Sequence, residues 1–271
     1  MIGDQKTSPH HHHQKTEAES ESALYHHPMR EVQMKTISYT SSLPVTTTSS
    51  ELLPVEIYNL EKVSPHPHIQ NLLEYSYQKQ EKKWRVMLEW DSHWEPLTNL
   101  ATAATPVLDE DDIRDITRQL LSVIVHCLER GVDHRDISVG NIYLNRDTNQ
   151  IKLANFQHST ALSVLPHTLQ SPSSSLSSTP PELYRQGSYT PHQAAVWSVG
   201  CLIFHLLSRA APLRCRADVA TNNVRWEVFR PQSVSGDVYD LVLMCLNPKP
   251  ENRLSLDKLV RHPWVVNETL V

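Results

Sequence analysis

Residues 132–141 read Val-Asp-His-Arg-Asp-Ile-Ser-Val-Gly-Asn. The run sets a carboxylate, Asp136, beside His134 and Arg135 and five positions ahead of an amide, Asn141. Carboxylates accept protons from hydroxyl groups. Amide oxygens coordinate hard cations such as Mg²⁺, but bring no charge to them. A second polar triplet, Asn155-Phe156-Gln157, follows downstream and offers amides without a carboxylate. The chain thus carries a candidate base next to a candidate cation site that is poor in negative charge.

The rest of the composition narrows the setting. With 271 residues, the chain is long enough for one two-lobed domain or two small ones. A formal charge of −5 gives no footprint for nucleic acid. No apolar run approaches the roughly 18–20 residues that span a bilayer, and the polar N-terminus lacks the apolar core of a signal peptide. Cys127, Cys201, Cys215 and Cys245 are widely spaced, form no C-x-x-C pair, and read as reduced thiols of a cytoplasmic or nuclear protein. Six glycines occur, none between Gly3 and Gly131. A glycine-rich loop that wraps phosphate needs that backbone freedom and close approach, so the front of the chain has no such loop.

Residues 1–28 are rich in Ser, Glu, Lys and His, and their composition predicts disorder. The run His10 to His13 has no cysteine partners and is read as part of this tail. Val32 to Ile37 has strand character, and 40–50 reads as a Ser/Thr-rich loop. Over Leu52 to Val63, the apolar residues Leu53, Ile57, Leu60 and Val63 have helical spacing, stopped by Pro65 and Pro67. Leu72 to Tyr77 and Trp84 to Leu88 read as a hairpin around the polar turn at Gln78 to Lys83. From Asp109 the pattern turns helical. Acids at 109–112 favour a helix N-terminus, and Ile113, Ile116, Leu120, Ile124 and Leu128 form an apolar stripe closed by Gly131. Residues 158–180 read as a long Ser- and Pro-rich loop. Buried helices are expected over 192–208 and 235–246, with a last helix from Ser255 to His262-Pro263.

Several motifs stand in a fixed order. Val32-Gln33-Met34-Lys35 resembles the V-A-I-K strand, and Leu53-Pro54-Val55-Glu56 the start of a following helix. Leu88-Glu89 fits a gatekeeper and hinge, and His134 to Asn141 fits H-R-D-x-x-x-x-N. Pro180-Pro181-Glu182 stands for A-P-E, Ala194 to Gly200 for the next helix motif, Arg253 for the partner of Glu182, and His262-Pro263-Trp264 for the domain end. Over about residues 30–266 the chain resembles the protein kinases, and most closely the PIM-type serine/threonine kinases.

The resemblance implies an α+β, two-lobed kinase-like fold. Residues 29–90 would form a truncated, β-rich N-lobe short of its usual five strands. Residues 91–266 would form a mainly helical C-lobe, and 267–271 a C-terminal tail. ATP and Mg²⁺ would be the cofactors of an active member. Lys35, paired with Glu56, would hold the phosphates, and Asp136 would take the proton of a protein hydroxyl. Asn141 and Asn155 would stand at the metal, and Leu88, Glu89 and Tyr143 would line the adenine slot. Glu182 and Arg253 would make a buried ion pair.

Departures from the family pattern fall on the same centre. Asn155 replaces the main metal carboxylate, Gln157 a glycine, and Ser138 a lysine that steadies the transferred phosphate. Gln33 and Tyr143 put larger polar groups where a small alanine and a leucine meet adenine. Val139 and Gly140 carry none of the acidity by which PIM-type kinases select basic substrates. Two readings follow. One is a pseudokinase acting as a regulatory or interaction module. The other is a weakly active serine/threonine kinase working through Lys35, Glu56, Asp136, Asn141 and Asn155. The expected partner is a protein, either substrate or regulator, with no nucleic acid and no membrane, and the chain is expected to be a monomer.

Overall fold

The computed structural model describes residues 20–27, 30–38, 45–46, 52–103, 108–162, 167–168, 175, 179–229 and 234–267. The front layer is an antiparallel sheet in the order β1-β2-β6-β5. Its strands are β1 (Ser20–His27), β2 (Arg30–Ser38), β5 (Leu72–Gln78) and β6 (Lys83–Glu89). Two short strands, β3 (Val45–Thr46) and β4 (Leu52–Leu53), pair with each other between β2 and α1 (Val55–Val63). In β6, Trp84, Val86 and Leu88 are buried while their neighbours are less so, the period-2 pattern of a strand with one covered face. Helix α1 covers that face with Ile57, Leu60 and Val63, all at most 2% exposed.

The strand β1 corrects two expectations. Disorder over 1–28 does not hold for Ser20–His27, which pairs with β2 along its whole length. The front sheet therefore starts before residue 29, with a strand ahead of the one that carries Lys35. Ladder hydrogen bonds to β2 build this strand, and composition does not register them. Residues 1–19, including the His run, lie outside the described residues. Smaller corrections follow the same logic. The helix expected from Leu52 starts at Val55, behind Pro54, because Leu52–Leu53 is taken by β4. The stretch 158–180, expected as loop, carries β11 (Thr160–Ala161) and β12 (His167–Thr168). Beyond the helix expected to stop at His262-Pro263, Pro263 starts a further turn, α9 (Pro263–Val266), as proline at a first helical position allows.

The rear layer is helical. Helix α3 (Glu110–Glu129) begins with a capping box: the Asp112 amide donates to Asp109 Oδ1 at 2.9 Å and the Asp109 amide to Asp112 Oδ2 at 3.1 Å. It ends before Gly131, whose φ of +74° suits a residue without Cβ. Helix α5 (Pro191–Ser208) is apolar on nearly every side and is buried at the centre of the lobe. Phe204 stacks on Phe229 at 4.7 Å between ring centroids. One continuous core runs from Ile57 and Val86 in front to Trp197 and Leu241 behind.

Helices α5 and α7 (Gly236–Cys245) meet at Gly200. A Cβ there would lie 2.6 Å from Cys245 Cβ and 3.0 Å from Leu246 Cδ2. Gly200→Ala is expected to lower unfolding free energy by about 1–3 kcal/mol through overpacking. A urea titration checks this; a midpoint equal to wild type would show that the two helices can part without cost.

Candidate active site

Four elements converge between the layers. Lys35 lies on β2 opposite Val86 of β6. Its Nζ is 2.8 Å from Glu56 Oε1 and 2.9 Å from Oε2 on α1. Both residues are buried, at 9% and 5% exposure. Helix α1 is tied down at its middle: Asn59 Nδ2 donates to Ser159 Oγ at 2.9 Å, joining the helix to the segment after Phe156. The tie joins residues 100 positions apart, and the sequence reading missed it.

The loop between β8 (Val132–Asp133) and β9 (Ile142–Asn145) is held from within. His134 Nε2 donates to Ala154 O at 3.0 Å, its Nδ1 accepts the Asp136 amide at 3.2 Å, and its ring meets Phe156 edge-on at 4.6 Å. Burial holds the His134 imidazole down to about 4, against the opposing pull of Asp136 and of the bond to Ala154. Asp136 itself is fully buried. Asp133 accepts the Arg135 amide at 3.2 Å and the Tyr189 hydroxyl at 3.0 Å. Arg135 has a φ of +64° and lines a small cavity with Asp133, Thr179 and Tyr189. Ser138 is buried, at 9% exposure. His158 was also missed: it is half-buried beside Asp136, Arg135, Glu56 and Lys35, and burial lowers its pKa.

Asn141 and Asn155 come together, but toward each other. Asn141 Nδ2 donates to Asp136 O at 2.8 Å, which leaves Asn141 Oδ1 facing inward. Asn155 adopts the left-handed region at φ +65°, which asparagine tolerates. Its Nδ2 donates to Asn141 Oδ1 at 3.0 Å. An N–H thus points at the oxygen that a cation would need, and neither residue carries negative charge. The pair does not fit Mg²⁺ as it stands. Among the described residues no cluster of three or more His, Cys, Asp or Glu offers another metal position.

The base slot is also changed. Gln33 sits opposite Leu88 in the β2–β6 ladder. Gln70, which the sequence reading passed over, donates from Nε2 to Gln33 Oε1 at 2.6 Å and to Glu89 O at 3.2 Å. The Glu89 carboxylate is held by Asn71 Nδ2 and Lys152 Nζ, each at 2.8 Å. Tyr143, on β9, packs edge-on against Trp90 at 5.1 Å, and burial pushes its hydroxyl pKa up. Trp84 is buried at the far end of β6, packed against half-buried Tyr75 and exposed Tyr77, away from Trp90. The one signal for Gln70 was an amide pair, Gln70-Asn71, between the apolar residues Ile69 and Leu72. At the positions that the family pattern assigns to adenine, the Gln33 and Gln70 amides are bonded to each other and to Glu89 O, an arrangement that does not fit adenine as it stands.

Behind the cleft, His66 packs on His126 at 4.4 Å and on His68 at 5.8 Å. The His126 ring donates to Val63 O at 2.9 Å, fastening the end of α1 to α3. Burial first, then His126, His68, Lys152 and Arg130, hold the His66 imidazole near 4. The folded chain therefore takes up a proton on His66 less readily than the unfolded chain. This contribution to stability is complete above about pH 6.5 and is lost as pH falls toward 4. His66→Asn is expected to remove part of the acid sensitivity, on the order of 1 kcal/mol between pH 7 and pH 5 after solvent screening. Urea midpoints at the two pH values check this, and equal slopes for variant and wild type would refute it.

The protein kinase domain family profile matches residues 19–265. The chain belongs to the protein kinase family. Its relatives are serine/threonine kinases. It is 32% identical over 167 residues to serine/threonine-protein kinase prk-2 of Caenorhabditis elegans, covering 60% of this chain and 36% of that one. It is 29% identical over 224 residues to testis-specific serine/threonine-protein kinase 5 of Mus musculus, covering 80% and 59%. The chain thus spans less than two thirds of the length of these curated relatives. Among solved structures, it is similar to the Rad53 kinase domain with SCD2 in complex with AMPPNP, at a TM-score of 0.67, 19% identity and 92% coverage of each chain. This likeness bears on the fold: a small sheet-containing front lobe on a helical rear lobe.

Proposed function

We propose that this kinase-fold chain is a pseudokinase of the PIM-like kind, a regulatory or interaction module with phosphotransfer largely lost. The observation that carries this is the Asn155–Asn141 hydrogen bond, 3.0 Å long, between the two residues that the family pattern assigns to metal. Phosphoryl transfer depends on positioning and on neutralising phosphate charge, and a pair of neutral amides bonded to each other supplies neither. The PIM-like part rests on the Leu53-Pro54-Val55-Glu56 and Ala194 to Gly200 motifs. It has modest support from 25% identity over 189 residues to serine/threonine-protein kinase pim-2 of Danio rerio. The partner of such a module is another protein, met in the cytoplasm or nucleus by a monomer.

A second reading, weak ATP-dependent kinase activity, is favoured by the intact bidentate Lys35–Glu56 pair. Thermal unfolding with ATP, with and without MgCl₂, separates the two. The proposal expects no Mg²⁺-dependent rise. A clear rise, with phosphate transfer abolished by Asp136→Ala, would establish the second reading instead.

A further inference from the structure

Gln70 is 5% exposed, and its place is fixed from both layers. Its backbone N–H donates to Leu153 O of β10 (Gln150–Leu153) at 2.9 Å, anchoring it to the rear lobe. Its side chain reaches the opposite way, to the hinge. The one Nε2 donates to both Gln33 Oε1 and the Glu89 carbonyl, so both of its amide hydrogens are used. The Glu89 backbone cannot turn that carbonyl elsewhere at no cost. Its N–H is bound to Asn71 O at 2.9 Å, and its side chain to Asn71 and Lys152. Glu89 stands at the hinge position of the family pattern, and its carbonyl already has an N–H donor from within the chain.

We propose that Gln70, with Gln33, is a specificity-determining pair that occupies the base slot in place of an adenine amino group and excludes adenine nucleotides whether or not metal is present. The proposal rests on the pseudokinase reading and deepens it, since it concerns the base end of the cleft and the Asn141–Asn155 pair concerns the phosphate end. A flat purine entering the slot must break both Gln70 bonds. It would leave one buried amide, Gln70, and one half-buried amide, Gln33, short of partners. Tyr143, which the family pattern sets at the adenine, is itself packed edge-on against Trp90. A small residue at 33 and an apolar one at 70 would remove the amides and free Glu89 O for a ligand N–H.

Calorimetric titration of ATP in EDTA tests this, with inorganic tripolyphosphate as the probe lacking a base. The Gln33→Ala/Gln70→Val variant is expected to bind ATP at least about tenfold more tightly than wild type, with tripolyphosphate affinity unchanged. Wild type binding ATP as tightly as the variant would overturn the proposal, and so would an equal gain for tripolyphosphate. If the double variant does not fold, Gln33→Ala alone must show a smaller gain in the same direction, and an unchanged ATP affinity there would overturn it. Because EDTA removes metal, failure here leaves the metal reading standing, and Mg²⁺-dependent binding of tripolyphosphate would strike that reading alone.

Discussion

Glu182→Ala is expected to destabilise the chain by about 3–5 kcal/mol, a large share of the stability of an ordinary domain. Glu182 opens helix α4 (Pro181–Gln186), and Arg253 lies 71 residues further on. The two make a paired, bidentate contact, Nη1 to Oε1 at 2.8 Å and Nη2 to Oε2 at 2.7 Å. Arg253 also donates to Gln193 O at 2.8 Å and Asn247 O at 3.0 Å, and its guanidinium lies 5.2 Å from the Trp197 ring centroid. The side chains are 0% and 3% exposed. Removing Glu182 leaves a permanent cation with two carbonyl partners and no counter-charge, out of reach of water. Replacing both residues, as in Glu182→Leu/Arg253→Met, is expected to cost less than the single change, because no charge is then stranded. Urea unfolding of the three chains decides this. A loss below about 1 kcal/mol in Glu182→Ala would mean that the pair is not sealed from solvent.

Asn155→Asp is expected to convert an unresponsive chain into one stabilised by Mg²⁺. Without metal, the change removes an N–H donor and sets a carboxylate oxygen against Asn141 Oδ1. Asn141 cannot simply turn its amide around, because its Nδ2 is committed to Asp136 O. Loss of the bond and the facing oxygens are expected to cost about 1–3 kcal/mol. A divalent cation between the two oxygens reverses the sign of that contact, since a hard cation favours an anionic oxygen ligand. Millimolar MgCl₂ should then raise the melting temperature of the variant and leave wild type unmoved, in proportion to the logarithm of metal over its dissociation constant. A variant as stable as wild type without metal, and indifferent to Mg²⁺, would refute this account of the pair.

The two substitutions differ in how far the sequence anticipates them. The Glu182–Arg253 contact could be expected from motif order, because each residue sits in its own recognisable segment. The Asn141–Asn155 contact could not. The sequence identified two amides near a metal position, yet which atom of each faces the other depends on the Asp136 carbonyl and on the left-handed turn at Asn155. Gln70 is a harder case. Its partners are Gln33, 37 residues away, and the hinge carbonyl, 19 away. A glutamine beside Asn71, between Ile69 and Leu72, carries no mark of either. Strand β1 was hidden for another reason. Its polar composition reads as disorder, while its order comes from a backbone ladder with β2.

By itself, the sequence determined what short-range physics controls: the stripe and capping acids of α3, the apolar run of α5, the β5–β6 alternation, and the motif order that names the family. Each depends on residues within a few turns or one strand of each other. The tertiary structure alone decided how the cleft is filled. Asn155 donates to Asn141, and Gln70 bridges Gln33 to the hinge. A buried polar atom must find its partner wherever the fold brings one within about 3 Å. That choice is made by the packing of the two layers, because sequence neighbours do not constrain it.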